Sequence, residues 1–74
     1  MRPELPNEWQ PNTSLDRRNE HGAIVQRRFY GQDGRAIKDI DYNHDHGAGQ
    51  PHAHDWDWAQ EEPRQSDRPL RVGE

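Results

Sequence analysis

The clearest pattern of apolar and polar positions lies between residues 23 and 43. Ala23-Ile24-Val25-Gln26-Arg27-Arg28-Phe29-Tyr30 is β-branched and aromatic enough for a strand. Gly31-Gln32-Asp33-Gly34 carries turn chemistry, and Arg35-Ala36-Ile37-Lys38-Asp39-Ile40-Asp41-Tyr42 returns as a second strand. The spacing predicts a β-hairpin in one of two registers. A type I turn followed by a left-handed Gly34 sets Phe29 across from Ile37, Arg27 from Asp39 and Ile24 from Tyr42. That register also sets Arg28 across from Lys38, a like-charge pair. A two-residue primed turn instead pairs Arg28 with Asp39 and Tyr30 with Ile37. In both, Asp39 and Asp41 share one face, which receives Arg27 or Arg28 from across.

The flanks are less patterned. Residues 1–13 form an extended arm, because Pro3, Pro6 and Pro11 restrict the residues before them. That arm is either a floppy terminus or a strap that lays Trp9 on the core or on a partner. Residues 14–22 carry weak helix signals, with Ser14 placed to cap and Gly22 to terminate. Gly47, Gly49 and Pro51 make the centre of residues 44–58 a loop, and residues 56–62 suit one helical turn stopped by Pro63. Residues 63–74 are polar and read as a disordered or loosely docked tail. The expectation is a small mostly-β or α+β fold. One hairpin (about 23–43) is covered by a His-rich loop and a short Trp-bearing turn. The small domain spans 14–62, between the arm and the tail. Trp56 and Trp58 are expected to supply core, packed on the hairpin with Phe29, Tyr42 and Ile40.

Composition makes that core a problem. Leu, Ile, Val and Phe together number nine of 74 residues, against the roughly 20% below which disorder becomes a serious prior. Such a chain needs a metal, a partner or an oligomer to hold shape. Cysteine is absent, which excludes disulfides, thiolate zinc sites and cysteine nucleophiles. No apolar run reaches ten residues, so neither a membrane span nor a signal peptide is expected. The net charge of −4 argues against a general nucleic-acid coat. A local cationic patch of Arg27, Arg28, Arg35 and Lys38 keeps a phosphate contact open.

The chemical signal is a run of histidine and aspartate. His44, His46, His52 and His54 form two His-x-His pairs around a Gly/Pro loop. In extended chain, residues two apart face the same way, so each pair can aim two imidazoles at one point. Imidazole suits transition metals, and Asp39, Asp41, Asp45, Asp55 and Asp57 add oxygen ligands or partners that orient the rings. The candidate metal ligands are His46, His52, His54, Asp39, Asp41 and His44, for zinc, nickel or manganese, with no organic cofactor. Against this stand solvated or simply hydrogen-bonded histidines. A calcium loop starting at Asp39 fails, because its sixth position is His44 where glycine is required and its twelfth is Gln50 where glutamate is required. Ser14 and Ser66 lack the context of a serine nucleophile.

The stretch Gln26–Tyr42, continuing to His46-Gly47 and Pro51-His52-Ala53-His54-Asp55-Trp56, resembles a short module at the C-terminal ends of bacterial polymorphic toxins and phage head-morphogenesis proteins. The resemblance covers residues 20–58. Its recurring positions are Asp39, Asp41, His46, Gly47, Pro51, His52, His54 and Trp56, with His44 peripheral. Toxin tips are often nucleases, an inference by association.

Three functions follow as expectations. The first is a small interaction module with a protein partner, its histidines and any metal structural. The second is a metal-dependent nuclease, with catalytic candidates His52, His54, Asp39 and Arg28 around a divalent ion that activates water. The third is an acidic inhibitor of a nucleic-acid enzyme. The expected setting is the cytoplasm, or delivery into a target cell as part of a toxin. Nucleic acid and self-association stay open as partners, and a membrane does not.

Overall fold

The expected hairpin is present, as the middle of a larger sheet. The computed structural model describes residues 4–42 and 51–74. Its strands are β1 (Ser14–Arg18), β2 (Ile24–Tyr30), β3 (Ala36–Asp41), β4 (His52–Trp56) and β5 (Arg64–Pro69). Each pairs antiparallel with the next, so spatial order equals chain order. No helix occurs among the described residues, and none is long and apolar enough to cross a membrane.

The hairpin combines features of both expected registers. Gly34 has φ +82°, and its N–H donates to Gly31 O at 3.0 Å, while Gly31 N–H donates to Arg35 O. This is the type I turn with a left-handed glycine, and it leads to the pair Tyr30–Ala36. A bulge then intervenes: Phe29 faces Lys38 rather than Ile37, and Arg28 faces Asp39. Ile37 is the extra residue, half exposed. The electrostatics explain the shift. Without it Arg28 would oppose Lys38; with it, Arg28 meets a carboxylate.

The sheet is held as much by charge as by oil. Among the described residues Val25, Tyr30, Ala36, Ile40 and Ala53 are the buried apolar ones, and beside them Gln26, Arg28 and Asp39 are buried too. Asp39 is fully enclosed, and its carboxylate accepts two bonds from Arg28 (2.7 and 3.0 Å), one from Arg64 (2.7 Å) and one from Gln26 (3.3 Å). Buried charge is tolerable only with such complete pairing. Similar pairs tie the other strands. Arg27 of β2 grips Asp16, directly opposite on β1, at 2.6 and 3.0 Å. Arg68 of β5 grips Asp55 of β4 at 2.7 and 2.9 Å and also bonds Glu74.

Several expectations are corrected. Residues 14–18 are a strand, not a helix, because Asp16 and Leu15 are recruited by β2; the chain then turns at Asn19–Gly22. Residues after Trp56 make a turn stapled by Asp57, whose side chain accepts the Ala59 N–H, and not a helical turn. The supposed tail supplies β5. Trp56 and Trp58 stack on each other at 5.5 Å and are flanked by Arg28 and Arg35. Trp56 thus lies over Arg28, on the opposite face from Phe29 and Ile40. The cationic patch is spent on internal partners: Arg27 on Asp16, Arg28 on Asp39, Arg35 on Asp33, Lys38 on Glu74. The N-terminal arm is the strap. Leu5 and Pro6 carbonyls accept bonds from Arg28, and Pro6 O also accepts the Tyr30 hydroxyl at 2.6 Å. Burial pushes that phenol's pKa up. Trp9 N–H donates to Gly34 O, and Ala36 N–H to Asn7 O.

Candidate metal centre

Strand alternation places the site. Register sets Asp41 opposite His52 and Asp39 opposite His54, so all four share one face of β3 and β4. His52 and His54 are two apart, and their rings sit edge to face at 5.2 Å between centroids. The paired imidazoles expected from His-x-His spacing therefore converge, as strand neighbours of the aspartates rather than as a loop lying over them.

Three side chains meet. His52 Nε2 lies 3.3 Å and His54 Nε2 3.2 Å from the same oxygen, Asp41 Oδ2. Their three ligand atoms all lie within 4.8 Å of one another. Donors held at about 2.05 Å by a tetrahedral ion stand ~3.3 Å apart, so both imidazole–carboxylate spacings match a coordination edge.

The tautomer of His54 sharpens this. Its Nδ1 is 2.8 Å from Gln65 O, and a carbonyl only accepts, so Nδ1 carries the hydrogen. In the neutral ring, Nε2 is then a lone pair aimed at a carboxylate oxygen. Two acceptors at that distance repel unless a proton or a metal cation lies between them. The Nδ1–carbonyl bond is also the arrangement that orients metal-bound histidines. Asp41 Oδ1 is buried without a hydrogen-bond donor among the described residues, which adds to the site's appetite for a cation.

Arg64 works against the ion. Its Nη2 is 3.3 Å from Asp41 Oδ2, its Nε bonds Asp39, and it is 37% exposed. With Asp39 and Asp41 against Arg28 and Arg64, the fixed charges already cancel.

The remaining candidates fall elsewhere. Asp39 is shared by Arg28, Arg64 and Gln26 as an internal counter-ion and lies outside the group formed by Asp41, His52 and His54. Arg28 is buried against Asp39 and under Trp56, so it cannot greet a substrate. His44 and His46 lie outside the described residues. Arg64 and Gln65 were missed at the sequence level, since β5 had no apolar signature to announce it. No protein-family model, curated protein or solved structure matches this chain. A groove of about 450 Å³ exists, but away from these residues at the β1 edge of the sheet, between the arm and β1.

Proposed function

We propose that this chain is a small binding module, and that Asp41, His52 and His54 hold a divalent transition metal in a structural role. The observation that carries the reading is the His54 ring: pinned through Nδ1, it presents Nε2 to the oxygen that His52 also faces. Two imidazoles and one carboxylate suit zinc or nickel better than manganese, which prefers oxygen donors. The ion would join β3 to β4 at the end where residues 43–50 connect them, and there it would add stability to a sheet short of apolar core. The likeness of residues 20–58 to toxin and phage modules gives the setting, an appendage that docks on a larger protein.

Titration with zinc, nickel and manganese, followed by thermal melting, tests this, with cobalt absorption reporting coordination. Zinc is expected to raise the melting temperature and cobalt to give a tetrahedral spectrum. Both Asp41→Asn and His54→Ala should weaken binding by at least about tenfold. Arg64→Gln should tighten it, because a competing cation leaves, while lowering the stability of the metal-free protein. No spectral or thermal response to any of these ions defeats the metal reading.

A metal-dependent nuclease is the second reading. Arg64 favours it, as an exposed cation beside the triad fit to meet a phosphate. RNA cleavage that needs metal and vanishes in His52→Ala would select it over the binding module.

A further inference from the structure

We infer that β1 is the docking edge of this molecule, and that its occupant is an extended acidic segment of a partner protein, added as a sixth strand. The inference rests on the binding-module half of the proposed function and is independent of the metal.

Three observations converge on this edge. The first is backbone. Tyr30 N–H donates to Thr13 O, which fixes the alternation along β1. Thr13, Leu15 and Arg17 turn their main-chain groups towards β2, so Ser14 and Asp16 present N–H and C=O outward. Those groups have no partner among the described residues, and such an edge is a template for a further strand.

The second is the groove beside it. Leu5, Pro6, Trp9 and Leu15 give it an apolar floor, and Trp9 is 48% exposed. An added strand places alternate side chains on one face, so every second residue of the incoming segment would enter this groove.

The third is charge. Arg27, Arg28, Arg35, Lys38, Arg64, Arg68 and Arg71 each lie within salt-bridge distance of a carboxylate. Arg17 and Arg18 do not. Among the described residues Arg17 donates to the Gln26 amide and Arg18 to the Gly22 carbonyl, so both meet only neutral acceptors. Both line the groove, at the point where the register with β2 shifts and Val25 is the extra residue. The two described arginines outside salt-bridge distance of any carboxylate thus flank the open edge, with Arg18 acting on Asp16 only through space. They select an acidic partner. Asp16 in the same lining is already held by Arg27, and two cations suit the spaced carboxylates of a strand better than the dense charge of a nucleic-acid backbone.

The test uses the whole chain, with and without a chelator, and the acidic alternating octapeptide acetyl-EVDVEVDV-amide. Its basic counterpart acetyl-KVRVKVRV-amide and an oligothymidine are the competitors. Binding is read by amide chemical shifts and hydrogen exchange. The acidic peptide is expected to shift and protect Ser14 and Asp16 N–H and to move the Trp9 indole signal, whether or not chelator is present. Ser14→Pro removes an outward N–H and is compatible with an edge strand. It should cut affinity by at least about tenfold, or about 1.4 kcal/mol. The charge reversal R17E/R18E should do the same and turn preference to the basic peptide. Retained amide dispersion shows that each variant is folded. Failure of the acidic peptide to bind overturns the proposal, as does undiminished binding to folded Ser14→Pro. Preference for oligothymidine, or a dimer of the parent chain that Ser14→Pro abolishes, replaces the occupant and overturns it too. A chelator that changes nothing here leaves the metal reading to its own test.

Discussion

Asp39 shows how one residue can organise a sheet with little oil. It is enclosed on all sides and accepts from two guanidiniums and an amide. Removing one partner of a buried pair costs about 3–5 kcal/mol, because the other is left charged in a poor solvent. Arg28→Met is therefore expected to unfold the protein at room temperature, or to lower its urea midpoint severely. The double change R28M/D39L should recover much of that loss, as urea denaturation of the three variants would reveal. Equal instability of the single and double variants would mean that the pair adds more than mutual compensation. The aspartates' common face was legible in advance, since spacing of two is local information. Their division of labour was not. Which carboxylate meets the guanidiniums and which the imidazoles depends on Arg64, 25 residues from Asp39 in sequence.

Elements separate along the same line. β2 and β3 announced themselves through Ile24, Val25, Phe29 and the Asp33-Gly34 turn, which are features of neighbouring residues. β1 and β5 are polar, and their cohesion comes from Asp16 with Arg27 and from Asp55 with Arg68, 11 and 13 residues apart. No local period encodes such pairs, so one strand resembled a weak helix and the other a tail. The turn between β2 and β3 does a second task. A Cβ built on Gly34 would stand 2.6 Å from the Trp9 carbonyl oxygen, a backbone atom. Gly34→Ala must therefore move the strap as well as strain a positive φ. Its expected cost is about 1–3 kcal/mol, with faster hydrogen exchange at Trp9 and Ala36 N–H. An unchanged exchange pattern would show that the arm does not depend on this contact.

At the scale of the whole molecule, ion pairing makes stability a function of pH. The Arg27 guanidinium holds the Asp16 carboxyl below its usual range, and Arg68 does so for Asp55. Glu74 is lowered chiefly by Arg68 and then by the Arg71 N–H. Each carboxyl is more acidic folded than unfolded, so as pH falls the unfolded chain takes up protons first. The stabilisation is complete above the ordinary values of 3.8 and 4.5 and is lost as pH drops below them. Urea midpoints should be level from pH 7 to about 5 and fall steeply by pH 3. Glu74→Gln should shallow that fall and lower the neutral plateau. High salt should depress the plateau as well, because partly exposed pairs are screened.

Ile37 has a meaning for chain length. The turn counts residues one way and the partners of Arg28 and His54 count them another, and this one half-exposed side chain absorbs the mismatch. Deleting Ile37 alone would straighten the ribbon yet leave Arg28 with Asp39 and His52 with Asp41. Dropping Ile40 instead would rotate the preceding residues of β3 by half a step and send Asp39 to the wrong side. Of two equally small deletions, three positions apart, the first should leave the sheet folded and the second unfold it, because Asp39 is then lost to Arg28 and Arg64. The strand thus carries one spare link, at Ile37, where its length can change without moving Asp39 or Asp41 to the other face.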